Sequence, residues 1–192
     1  MATRRRSFSS GVSLILVMGI AGSGKTTLSR EIIRRTHAVY LDNNHIVDSF
    51  FPDTREGFRY EKLRAGFYEA LYTIAEANLK LGNSVLLDAP HIKEVQTPEW
   101  IKRIRGLAKN NKAKLIVIRC GCTEESLRAR IESRGERRDE SKLRHWREFL
   151  AEQPIHVPVR FPHLEIDTDR SLLGNVTIAV QYITNQSRKR LR

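Results

Sequence analysis

The chain has 192 residues, 40% apolar and 29% charged, which suits one globular α/β domain with a buried core. Nothing in it approaches the roughly 18–20 consecutive apolar residues of a membrane helix, and two cysteines, Cys120 and Cys122, rule out a disulfide framework. Of the net charge of +12, seven charges sit in acid-free ends, on Arg4, Arg5, Arg6, Arg188, Lys189, Arg190 and Arg192; the five that remain on the body fit a polyanionic ligand such as a nucleotide.

Residues 1–12 read as a flexible basic arm. Residues 13–18, Ser-Leu-Ile-Leu-Val-Met, form a continuous apolar run, the pattern of a strand covered on both faces. A glycine-rich turn follows at 19–24. Then comes a helix over 25–36, with Leu28, Ile32 and Ile33 at helical spacing. A second strand is expected at 38–41, and a helix at 42–50 that Pro52-Asp53 breaks. The segment 59–81 predicts a long helix with Leu63, Phe67, Leu71, Ile74 and Leu79 as its apolar stripe, closed by Gly82-Asn83. A third strand at 84–87 ends at Asp88, a helix follows at 98–110, and a fourth strand at 114–119. Residues 123–133 form a helix with Glu124 and Glu125 near its positive end. After a basic break at 134–140 come a helix at 140–152, a fifth strand at 164–167 and a last helix at 171–182. Residues 184–192 read as a flexible basic tail. Strand and helix alternate five times, which predicts one parallel sheet with helices on both faces, in a single domain over 13–183.

Residues 19–26, Gly-Ile-Ala-Gly-Ser-Gly-Lys-Thr, satisfy G-x4-G-K-[ST] between an apolar strand and a helix. Each residue type has a physical task there. Gly19, Gly22 and Gly24 let the backbone turn tightly around phosphate oxygens, with the amides of Ala21 and Ser23 in the same loop. The helix that follows points its N-terminus at those phosphates. Lys25 reaches the β- and γ-phosphates, the Thr26 hydroxyl is a Mg²⁺ ligand, and Thr27 is placed for the α-phosphate. Guanine-binding switches carry D-x-x-G and N-K-x-D. This chain has no D-x-x-G, and Asn111-Lys-Ala-Lys114 lacks the final acid, so ATP is the expected nucleotide.

Beyond the loop, three more features bear on chemistry: Tyr40-Leu-Asp-Asn-Asn-His-Ile46, Val85-Leu-Leu-Asp88, and Leu127-Arg-Ala-Arg130 followed by Arg134-Gly-Glu-Arg137-Arg138-Asp139. Together with the glycine loop they resemble the small single-domain P-loop kinases, a group that includes polynucleotide kinase, adenylylsulfate kinase, gluconate kinase, chloramphenicol phosphotransferase and AAA-type ATPases. The resemblance spans about residues 13–183. It implies a P-loop NTPase fold of three α/β/α layers, with a five-stranded parallel sheet in the order 2-3-1-4-5 and a basic lid. It also implies an ATP- and Mg²⁺-dependent phosphotransferase. Asp42 would be the general base, although Asn44 stands where the group often has a second acid. Asp88 would take the Walker B position and, with Thr26, hold Mg²⁺. Arg130, Arg134 and Arg138 would close over the phosphates with Gly135 as a hinge, since phosphoryl transfer needs positioning and positive charge more than covalent help.

Several residues carry two readings. Asp42 is also placed to cap the next helix. His45 and His91 follow strand ends, where ligands bind in open α/β sheets, or are capping and surface residues. Arg55, Arg59 and Arg64 suit an anionic acceptor or a solvated helix face. Trp100 and Trp146 read as packing residues, and Cys120 with Cys122 as small buried residues rather than a metal pair. By the resemblance, Arg119 and the loop 167–170 border the adenine. The acceptor is expected to be a hydroxyl of a small molecule. The basic ends also suit nucleic acid, which keeps an end kinase open, and a nucleotide switch without phosphotransfer is a third class. No membrane partner is expected, and the cytoplasm is the expected compartment, although the Arg- and Ser-rich start shares composition with an organelle transit peptide.

Overall fold

The computed structural model describes residues 11–188. Five strands, β1 (Ser13–Met18), β2 (Val39–Asp42), β3 (Val85–Asp88), β4 (Lys114–Gly121) and β5 (His163–Asp167), pair in parallel in the order β2-β3-β1-β4-β5. All six residues of β1 are buried, and period-two alternation sends them to opposite faces. Ile15 and Val17 pack with Leu28 and Ile32 of α1 (Lys25–Thr36) and with Val176, Ala179 and Ile183 of α8 (Leu172–Arg188). Leu14, Leu16 and Met18 face Leu71 of α3 (Gly57–Lys80), Ile104 of α4 (Pro98–Asn110) and Ile131 of α5 (Glu124–Arg134). Two cores back to back are why the strand needs no polar residue at alternate positions.

Local differences from the sequence expectation have identifiable causes. Leu63 and Ile74 of the expected α3 stripe are 41% and 42% exposed. Tyr68, Tyr72 and Ala75 are buried with Phe67, Leu71 and Leu79 instead, so the stripe is rotated toward two tyrosines. The expected helix 140–152 is two, α6 (Glu140–Arg144) and α7 (Trp146–Glu152), broken at His145 with φ −114° and ψ 48°. Trp146 turns inward there and donates its indole N–H to Glu124 Oε1 at 2.7 Å. β4 runs two residues past Arg119, because Cys120 and Gly121 pair with Ile166 and Asp167.

Residues 184–188, expected in the flexible tail, are the last turns of α8. Ser187 is buried there, and its hydroxyl meets that of Ser13 at 2.9 Å, which anchors the helix end to β1. Val12, expected in the arm, accepts a backbone bond from Lys114 N–H at 2.8 Å. The rest of the arm and tail, residues 1–10 and 189–192, lies outside the described residues.

Candidate active site

The glycine loop leaves β1 in a backbone path that side chains would block. Gly19 has φ 149°, and a Cβ there would lie 2.5 Å from Ser23 Oγ and 2.6 Å from the Cys120 carbonyl. Gly22 has φ 84°, with Ile131 Cγ1 only 2.9 Å from a Cβ. Gly24, at φ 78°, sits under Thr168 and starts α1. No side chain caps α1, and its first turn holds no acid. Its leading N–H groups therefore keep their positive end for an outside anion. Ala21 and Gly22 are half-buried, Ser23 and Lys25 are buried, and Thr27 opens to solvent.

The sheet register assembles the carboxylates. Asp42 lies opposite Asp88 on neighbouring strands, and Asp88 lies opposite Val17, two residues before the loop. Both acids are buried, at 3% and 1% exposure. The Tyr40 hydroxyl sits 3.0 Å from Asp42 Oδ2 and 3.0 Å from Asp88 Oδ2. One phenolic proton thus serves two carboxylates, and burial followed by the two negative charges pushes the Tyr40 pKa far up, so the proton stays. The other oxygen of Asp42 accepts from Asn44 N–H at 2.8 Å, which makes Asp42 the N-cap of α2 (Asn43–Asp48). The capping reading of this residue is therefore realised, and it coexists with a place beside Asp88.

Asp88 is the strained member. Burial raises its pKa, and repulsion from Asp42 adds to that, against the Lys25 charge and the hydroxyls of Thr26 and Tyr40. Its Oδ1 is buried without a partner. A carboxylate oxygen left bare beside a threonine hydroxyl at the phosphate loop fits the outer ligand shell of Mg²⁺. Among the described residues no three His, Cys, Asp or Glu side chains converge on one point. An ion here would thus take most of its ligands from phosphate and water, with Thr26 and Asp88 as the protein's share.

The three arginines expected in a lid fall into two groups. Arg130, on α5, donates to Thr168 Oγ1 at 2.8 Å, to the Thr168 carbonyl at 3.0 Å and to Asp169 at 2.8 Å. It ties α5 to the β5–α8 loop, next to the glycine loop. Arg134 pairs with Asp139 and Arg138 with Asp48. Asp48 is at the end of α2, on the Asp42 side, and also holds Arg55. Burial opposes the charge on Asp48, yet the bonds from Arg138 and Arg55 win and hold its pKa below the usual carboxylate value. Gly135 ends α5 with φ 62°, in open space.

The remaining candidates sort cleanly. His91 has no exposure, packs among Tyr68, Tyr72 and Trp100, and meets the Tyr72 hydroxyl at 3.0 Å through Nε2. Burial pushes its pKa down to about 4, so it is a neutral core residue and not an acceptor contact. His45 is exposed, its ring perpendicular to that of Tyr40 at 6.0 Å between centroids. Arg64 pairs with Glu94 at 2.6 Å and lies over Tyr68, while Arg59 lies over Phe51. Arg119 is buried against Glu165 at 2.8 Å and His156 at 3.1 Å. Trp100 and Trp146 pack, each with its indole N–H bonded. Both cysteines are buried, and burial raises the Cys120 thiol to about 12. Neither Tyr40 nor Asp48 is singled out for a role by the sequence pattern. Tyr40 was findable, because it lies two residues before Asp42 on one face of a strand; Asp48 was not, since its partner Arg138 is distant in the chain.

Loop, sheet order and carboxylate placement together define a P-loop NTPase fold of the kinase type. Residues 14–154 match a family model described as an AAA domain, and the chain belongs to that family. No curated protein sequence matches the chain. Solved structures do. A candidate kinase from Chloroflexus aurantiacus J-10-fl is 22% identical with a TM-score of 0.71, covering 93% of this chain and 99% of its own. Kti12 from Chaetomium thermophilum, solved with ADP-AlF3, is 19% identical with a TM-score of 0.66, covering 92% and 100%. The APS kinase CysC from Mycobacterium tuberculosis, solved with AMPPNP and APS, is 17% identical with a TM-score of 0.61, covering 91% and 98%. Those identities speak for the fold. No helix among the described residues is long and apolar enough to cross a membrane.

Proposed function

We propose that the chain is an ATP-dependent phosphotransferase that moves the γ-phosphoryl group to a hydroxyl of a small molecule. The observation that carries this reading is the pairing of Asp42 with Asp88 beside Lys25, at the mouth of the glycine loop. Two buried acids in different surroundings divide the labour. Asp88, with its bare Oδ1 and the Thr26 hydroxyl, holds Mg²⁺. That ion, when bound, neutralises charge on the β- and γ-phosphates. Asp42 faces the acceptor side, where α2 begins, and takes the acceptor's proton as general base. The Tyr40 hydroxyl fixes both carboxylates.

The backbone amides of residues 19–27 and the Lys25 ammonium grip the triphosphate. Arg138 reaches α2 through Asp48, Arg130 reaches the β5–α8 loop through Asp169, and Arg134 is held by Asp139 between them in the chain, so the lid approaches the phosphates from two flanks. All three are bonded to carboxylates, and they exchange those partners for phosphate oxygens as the lid closes and excludes water. Solved relatives carry AMPPNP and ADP-AlF3, which supports an adenine nucleotide here.

The test is ADP release from Mg-ATP across a panel of hydroxyl acceptors. At least one acceptor raises the rate above that with water, and Lys25→Ala lowers kcat at least about a hundredfold. ADP appearing at the water rate with every acceptor refutes the small-molecule reading. Release stimulated only by polynucleotide ends would assign an end kinase, and nucleotide binding without any transfer would assign a switch.

A further inference from the structure

A groove of about 520 Å³ lies between α4 and the segment that leads into β5. Lys102, Arg105 and Lys109 line it from the helix and Arg160 from the segment, and no acid is among its lining residues. We propose that this groove binds a strand of single-stranded nucleic acid through its phosphates. The inference stands apart from the phosphotransfer reading, because it concerns a different surface and requires no nucleotide.

The groove cations are kept free. Arg64, Arg103, Arg119 and Arg138 each pair with a carboxylate. Arg103 does so with Glu69 while lying one residue from Lys102 on the same helix. Lys102, Arg105, Lys109 and Arg160 form no ion pair among the described residues. Arg105 is nonetheless held in place, its guanidinium 5.1 Å over the ring of buried Phe161. A guanidinium plane held on one face offers the other face to a base and its N–H edges to phosphate.

Spacing and shape agree with a strand. Lys102, Arg105 and Lys109 recur at i, i+3 and i+7, hence on one helix face. At about 1.5 Å per residue they span roughly 10 Å, the reach of about two successive phosphate-to-phosphate steps in an extended single strand. Gly106 opens the floor between them, since a Cβ there meets nothing within 4 Å. Ile101 and Pro98 give that floor apolar surface. The groove is open rather than enclosed, so an extended chain can lie across it. Phosphates at every residue match a row of unpaired cations more densely than the scattered carboxylates of an acidic peptide.

Position separates this site from the ATP site. α4 runs from behind the C-terminal end of β3 to the N-terminal end of β4, and Arg160 precedes the N-terminal end of β5. The glycine loop follows the C-terminal end of β1 in the same parallel sheet. The Lys109 and Arg160 end of the groove thus lies toward the N-terminal ends of β4 and β5, and none of the groove's lining residues belongs to the glycine loop or the Asp42–Asp88 pair.

The experiment is fluorescence anisotropy of the full chain with a labelled oligothymidylate of about 12 nucleotides, without ATP, between about 50 and 200 mM salt. The combined change Lys102→Gln, Arg105→Gln, Lys109→Gln and Arg160→Gln is compared with a charge-matched set at Arg30, Arg35, Lys62 and Arg147, also to Gln. The groove set weakens binding at least about tenfold more than the control set, and its salt slope shrinks by about 2–3, at roughly 0.7 per phosphate contact. Gly106→Leu fills the groove with every charge retained, and it also weakens binding. The proposal is overturned if the two charge sets act alike, if Gly106→Leu binds as wild type does, or if the wild type shows no salt-dependent binding. It is equally overturned if a polyglutamate peptide or phosphatidylserine vesicles bind through the groove residues while the oligonucleotide does not.

Discussion

Replacing Asp88 by asparagine separates what this residue does for the fold from what it does for chemistry. The side chain is 1% exposed, faces Asp42 in register, shares one Tyr40 proton with it, and leaves Oδ1 unbonded. A buried polar atom without a partner costs about 1–3 kcal/mol, and a charged one more. Asparagine keeps the volume, removes the repulsion and brings an amide that can donate to Asp42. The nucleotide-free variant is therefore more stable than wild type at pH 7, by about 1–3 kcal/mol. At about 2–4 °C per kcal/mol for a chain of this size, the melting temperature rises by roughly 3–10 °C. The pH dependence fixes the cause. In the unfolded chain Asp88 ionises near its ordinary 3.8, and in the fold only at a higher pH. The stability tied to its protonated form is whole below 3.8 and is lost as pH rises through the folded pKa. The gap between variant and wild type accordingly opens over that window and then stays constant. Thermal melts from pH 4 to 8 read the gap directly. A variant that melts at or below wild type at pH 7 refutes the reasoning, and would mean that Lys25 and Tyr40 fully offset the charge. The same variant loses most of the stabilisation that Mg-ATP gives wild type, the usual exchange of stability for function at a site.

Gly22→Ala places a methyl 2.9 Å from Ile131 Cγ1 at φ 84°, so it lowers stability by about 1–3 kcal/mol and abolishes ATP binding in calorimetry. Gly66→Ala, in α3 with nothing within 4 Å, raises stability by about 0.5–1 kcal/mol and leaves binding intact. His91 takes up its proton near 6.5 in the unfolded chain and near 4 in the fold, so its contribution is whole above 6.5 and lost as pH falls toward 4. His91→Asn, which tolerates the residue's φ of 52°, flattens that part of a urea-denaturation pH profile.

The elements and their order could be read along the chain because the apolar runs, the glycine loop and the helix stops are local signals. The G-x4-G-K-[ST] pattern fixes the phosphate grip by itself, since the turn, the lysine and the helix that perform it are contiguous. Sheet order followed from resemblance rather than from any run of residues, and the register of β2 on β3 was not legible at all. That register turns Asp42 and Asp88 from two strand ends into a pair under one tyrosine hydroxyl.

Burial had the same character. His91, placed after a strand like a ligand contact, belongs to an aromatic core that α3 and α4 close around it. Leu63 and Ile74 gave way to Tyr68 and Tyr72 because the helix rotates to fit what it packs against. Arg130 and Arg138, eight residues apart, face opposite flanks because their acids, Asp169 and Asp48, follow β5 and β2, the two edge strands of the sheet. Sequence alone determined what is built from neighbours in the chain. Partners for buried charge were chosen only by the tertiary structure, since a desolvated carboxylate or guanidinium takes whichever counter-group packing brings within bonding distance.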